Sequence, residues 1–70
     1  MDINDLANRF TYHPPKDETT INNYAEIRNN ALNLAVLINA RCPDSSEKSL
    51  AITHLEDCVM WANASIARNE

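Results

Sequence analysis

The sequence contains no glycine, only three prolines (Pro14, Pro15 and Pro43) and only two cysteines (Cys42 and Cys58). Without glycine, the tight turns that need positive φ are nearly excluded, and with them the short hairpins that build antiparallel sheets. An all-α fold is the expectation. The opening MDINDLANRF carries two acids and no apolar h-region, so the chain reads as cytosolic. In a reducing compartment both thiols are expected to stay free and to act as small apolar residues. His54 and Cys58 are spaced i, i+4, but a closed zinc site needs four ligands of good geometry. The other candidates, Cys42 and His13, lack paired spacing, so no metal is expected. Cations are also scarce: six Lys and Arg against ten Asp and Glu leave a net charge of −4. That balance argues against a non-specific binder of DNA or of anionic membranes, both of which rest on a broad basic field. No apolar run has membrane-spanning length.

What is present is a 70-residue chain, read as one domain over 1–70. A chain this short buries a smaller share of its surface than a larger domain and usually needs reinforcement. With disulfides and metal disfavoured, self-association is the expected remedy. The prolines divide the chain into three pieces. Residues 2–9, DINDLANR, form a short N-terminal helix capped by Asp2, with Ile3, Leu6 and Phe10 on one side. Pro14 and Pro15 end it and bias His13 away from the α region, so Thr11 to Asp17 is expected to be a non-helical linker from which Tyr12 projects. The second piece is a long helix, roughly Ile21 to Arg41, capped by Thr19 or Thr20 and ended by Pro43, with Tyr24, Ile27, Ala31, Leu34 and Ile38 forming a seam. The third starts from Asp44, Ser45, Ser46 and Glu47, which offer a cap with a reciprocal glutamate, and runs to about Ala67. Its seam of Ile52, Leu55, Val59, Ala62 and Ile66 matches the preceding one and predicts an antiparallel helical hairpin across CPDSS. Apolar residues off both seams, among them Leu32, Val36, Leu37, Leu50 and Trp61, predict hairpins assembled into a compact homo-oligomeric bundle.

No catalytic constellation emerges. There is no glycine-rich phosphate loop and no paired carboxylate motif, and His54 with Cys58 lacks an orienting third group, so no enzyme activity and no cofactor are expected. Asn63-Ala64-Ser65 matches a glycosylation sequon but falls mid-helix and reads as chance. Arg9, Lys16, Arg28, Arg41, Lys48 and Arg68 are ordinary surface charges unless symmetry multiplies one of them into a ring able to hold a compact multi-anion. Arg68, near a helix C-terminus, also suits the helix dipole. Tyr12 has two readings: a ring folded back as a lid on the core, or a stacking platform for a nucleobase whose phosphates pair with Arg28.

Three stretches bear on that choice: FTYHPPK at 10–16, YAEIRNNALNLAVLI, and CPDSSEKSLAITHLEDCVMWANASIARNE at 42–70, of which EKSLAITHLEDCVMWANASIARNE is the most specific. Together they resemble the phage-encoded anti-CBASS sponge proteins, over nearly the whole chain after Phe10; the first nine residues carry no recognised motif. The resemblance implies a compact hexamer in the cytoplasm of the infected bacterial host. Such a hexamer sequesters cyclic dinucleotides of the 3',3'-cGAMP type between protomers, and cyclic trinucleotides of the cyclic tri-adenylate type at separate three-fold positions, without degrading either. It further implies that Tyr12 stacks on a base, that Arg28 pairs with phosphate and that Arg68 forms the three-fold ring, with His13 and Asn30 as weaker contacts. Arginine at 28, where a family member has lysine, keeps the charge and changes its geometry. The rival expectation is a small helical protein-interaction module, a phage regulator that offers its apolar faces to a host protein.

Overall fold

The computed structural model describes residues 2–10 and 14–69, which form three helices: α1 (Ile3–Phe10), α2 (Glu18–Arg41) and α3 (Ser46–Asn69). The expected all-helical fold is observed, and no strand occurs among the described residues. The foreseen Asp2 cap of α1 is present: the Asn4 N–H donates to Asp2 Oδ1 at 3.3 Å and the Leu6 N–H to the Asp2 carbonyl at 3.1 Å.

The start of α2 differs from expectation. Asp17, not Thr19 or Thr20, is the N-cap; its Oδ1 accepts from the Thr20 N–H at 3.0 Å and its carbonyl accepts from the Ile21 N–H at 3.1 Å. The helix therefore begins at Glu18, almost a turn before the first apolar residue, and both threonines lie inside it. Aspartate satisfies an orphan amide as well as any cap residue and adds a negative charge at the positive end of the dipole. At the other end the Cys42 N–H donates to the Ile38 carbonyl at 2.9 Å, and Pro43 prevents continuation.

The cap of α3 is Ser45, whose Oγ accepts from the Lys48 N–H at 3.1 Å. The residue three places on is thus a lysine, and the reciprocal glutamate of the expected capping box is not realised. Lys48 instead ties the connection together, its Nζ donating at 2.9 Å both to the Asn39 carbonyl on α2 and to Asp44 Oδ1. The α3 helix runs to Asn69, two residues past the expected end.

The short connection at 42–45 folds α3 back along α2, giving the antiparallel hairpin read from the matching seams. All five expected seam residues of α3, Ile52, Leu55, Val59, Ala62 and Ile66, are half-buried. On α2 the half-buried residues are Tyr24, Ala25, Ile27, Ala31, Ala35 and Ile38; Leu34, expected in the seam, is 45 % exposed. Small alanines at 31 and 35 let the helices approach, and the larger Leu34 is displaced to the flank. No apolar side chain is fully buried among the described residues, where the only buried residue is Thr20. The molecule measures 46 × 31 × 13 Å, and its short dimension is about one helix with its side chains. It is a single layer with two open faces.

Candidate functional site

Each face of the hairpin carries an open groove along the α2–α3 junction. The first, of about 630 Å³, is lined by apolar residues including Ile27, Leu34, Leu55 and Ile66, with Asn23, Glu26, Asn30 and Cys58 at its polar margin. The second, of about 480 Å³, lies between Arg28, Leu32 and Ala35 on α2 and Ile52, Glu56, Met60 and Asn63 on α3. Ala31, Leu55 and Val59 line both, as expected for the thin partition between the two faces of one layer.

The described candidate residues are distributed over this scaffold and do not meet within one protomer. Arg28 is exposed, mid-way along α2, and lines the second groove. Asn30 belongs to the first groove and is also exposed; its Nδ2 donates to the Glu26 carbonyl at 2.8 Å, leaving its side-chain oxygen for other partners. Arg68 is exposed in the last turn of α3 and lines neither groove. Tyr12 and His13 lie outside the described residues.

The other cations now have local roles. Arg9 and Arg41, like Arg68, occupy last helical turns, where positive charge complements the negative end of the dipole. Lys48 is engaged in the hairpin connection with its side chain only 12 % exposed. Its ammonium, by hydrogen bond first and by charge second, holds the Asp44 carboxyl below the usual carboxylate range. Arg28 is the only arginine in a helix interior, and no ion pair engages it among the described residues. Cys42 and Cys58 are free and exposed.

Two residues that sequence reasoning passed over belong to the second groove. Glu56 faces it from α3, and Asn63, set aside as part of a chance sequon, has a buried Oδ1 with no hydrogen-bond partner. A polar residue between Ala62 and Ala64 on a helix with apolar stripes was the available signal.

The geometry defines a class: a two-helix layer with a short N-terminal helix, with no fully buried apolar side chain among the described residues and with grooved apolar faces that bear a few isolated polar groups. The family model of the Acb2/Tad1 hairpin domain matches residues 1–67, and the chain belongs to this family, the anti-CBASS sponge family. The match begins at residue 1, so the family pattern includes the N-terminal segment in which the sequence offered no recognised motif. No curated protein and no solved structure matches the chain.

Proposed function

We propose that this protein is a phage anti-defence sponge that binds cyclic di- and trinucleotide immune messengers without degrading them and so keeps CBASS effectors inactive. The observation that carries the reading is the family match over residues 1–67. The assignment of residues is part of the proposal: Tyr12 stacks on a base, Arg28 pairs with a phosphate, Arg68 forms a ring at a three-fold axis, and His13 and Asn30 add polar contacts. The isolation of Arg28 from any ion pair among the described residues supports its part, because a guanidinium with all its donors available suits bidentate phosphate binding. The scatter of Arg28, Asn30 and Arg68 over separate surfaces supports pockets completed by other copies, with a homohexamer as the proposed assembly.

The action is stoichiometric. Tight binding by an abundant protein lowers the free messenger below the level that activates its effector, and no cofactor, metal or turnover is needed. Titration calorimetry with 3',3'-cGAMP and, separately, with cyclic tri-adenylate tests the proposal, followed by recovery of the ligand after proteolysis. Tight binding with intact ligand is the expected result. Degraded ligand would make the protein an enzyme, and no binding across a panel of cyclic oligonucleotides would remove the sponge reading. Tyr12→Ala is expected to abolish cyclic dinucleotide binding while leaving the oligomer and its melting temperature unchanged; a ring serving as a core lid would lose stability instead.

A second reading, a helical module that docks on a host protein, draws on the exposed apolar residues Leu32, Val36, Leu37 and Trp61. The two readings part on the assembled protein. A sponge buries these residues in its own assembly and gives little binding of an apolar dye, whereas a docking module keeps a dye-binding face.

A further inference from the structure

We infer that Trp61 is the base-stacking residue of the trinucleotide site, its indole holding one base of the ligand while Arg68 of the same helix holds the adjoining phosphate. The inference rests on the three-fold Arg68 ring in the proposed function and adds to it the residue that binds the bases.

The first ground is position. Successive helical residues are turned by about 100°, so Leu50, His54, Asp57, Trp61, Ser65 and Arg68 fall in one stripe of α3, roughly opposite the seam that packs on α2. All of them are exposed, and none lines either groove. The stripe is thus the outer edge of the layer, separate from its two grooved faces. Trp61 and Arg68, two turns apart, stand almost in line, with about 10.5 Å of rise between them. Only Ala64 and Ser65 lie between them on that side. Helical side chains lean toward the N-terminus, which carries the guanidinium over these two small residues toward the indole. The remaining gap suits one nucleotide, with its phosphate at one end and its base at the other.

The second ground is chemistry. Trp61 is 61 % exposed, and among the described residues no ring contact or ion pair engages Trp61, Arg68 or Asp57. Arg68 sits in the last turn of α3, where the negative end of the helix dipole offsets part of its charge. A phosphate held by that guanidinium alone gains little, so affinity must come from a second contact beside it. An aromatic face supplies one, because stacking strengthens binding by about five- to a hundredfold per base. Asp57, one turn to the other side of Trp61, repels a phosphate from that end and leaves the ligand one orientation along the stripe.

The third ground is symmetry. Copies related by a three-fold axis present one indole and one guanidinium each, matching the one base and one phosphate of each nucleotide in a cyclic trinucleotide. Around that axis neighbouring copies shield the rim of each indole from larger probes and leave a ring face to the base. A cyclic dinucleotide has too few bases to fill such a ring.

Because Trp61 is the only tryptophan, its fluorescence in the full-length wild-type protein tests the inference without a mutation. Cyclic tri-adenylate is expected to quench the emission in step with binding measured by calorimetry, and 3',3'-cGAMP to leave it nearly unchanged. Trp61→Leu keeps an apolar side chain and removes the π face at every position of the ring. It is expected to weaken tri-adenylate binding by at least about a hundredfold, with Trp61→Phe in between, while oligomer mass by native mass spectrometry and 3',3'-cGAMP binding stay at wild-type values. Tri-adenylate binding without quenching, equal quenching by both ligands, or wild-type tri-adenylate affinity in Trp61→Leu overturns the inference while the trinucleotide site stands. So does a Trp61→Leu protein that loses its oligomer and both ligands together, which would make Trp61 a packing residue. A wild-type protein that does not bind tri-adenylate overturns both the inference and the site on which it rests.

Discussion

At the scale of single residues, polar side chains decide where the helices of this protein begin. Asp17 accepts from the Thr20 N–H and so recruits Glu18, Thr19 and Thr20 into α2 ahead of the first apolar residue. Reading from the apolar pattern alone placed the cap at Thr19 or Thr20, because Ile21 opens the hydrophobic run; yet an acid beyond that run competes equally well for an orphan amide. Asp17→Ala is therefore expected to cost about 1 kcal/mol in chemical denaturation at fixed protein concentration. A loss of that size on Thr19→Ala, with none on Asp17→Ala, would reassign the cap. Asn63 shows the limit of reading residues singly. Its place between Ala62 and Ala64 was the one sequence signal, and only the folded chain shows its oxygen buried and without a hydrogen-bond partner.

At the scale of elements, periodicity carried the hairpin. The α3 seam was legible in full because its apolar residues recur at regular spacing and the connection at 42–45 is too short for anything but an antiparallel return. The α2 seam was legible except at Leu34, since ALNLAVLINA is apolar nearly all round and pattern alone cannot rank Leu34 against Ala35 for the close contact. The connection itself was not legible. Lys48 counted as a surface charge from sequence, and its two contacts, one to the Asn39 carbonyl and one to Asp44, exist only once the helices have turned. Because the Lys48 ammonium, by hydrogen bond first and by charge second, lowers the pKa of Asp44 in the folded chain, that pairing favours folding above the ordinary carboxylate range, and its contribution is lost as pH falls through the lowered value. Melting temperatures of wild type and Asp44→Asn should accordingly differ at neutral pH and converge in acid. Lys48→Met should destabilise more than Asp44→Asn at pH 7, since it also abandons the Asn39 carbonyl. A gap between wild type and Asp44→Asn that persists unchanged into acid would mean that the ion pair contributes nothing.

At the scale of the whole molecule, the candidate site was only partly visible in the sequence because its described residues do not meet within one protomer. Arg28, Asn30 and Arg68 lie on different surfaces of a layer that has no fully buried apolar residue among those described. Residue types and a family resemblance named these positions, but no spacing rule brings them together, since the proposed pockets need residues from other copies. Under the proposed assembly, the lack of a fully buried apolar residue among those described makes stability a function of concentration. For a chain that folds by associating, the melting temperature rises with protein concentration, as it does for any partner that binds only the folded state. Trp61, the only tryptophan, is 61 % exposed in the protomer, so its emission tests the proposed assembly. Dilution is expected to lower the melting temperature and to shift Trp61 emission to longer wavelength as neighbouring copies leave. If the melting temperature proved independent of concentration, folding would not depend on association. If it fell on dilution while Trp61 emission stayed at an exposed-indole wavelength throughout, the protein would assemble through its grooves and leave Trp61 outside, on a face still open to a partner of another kind.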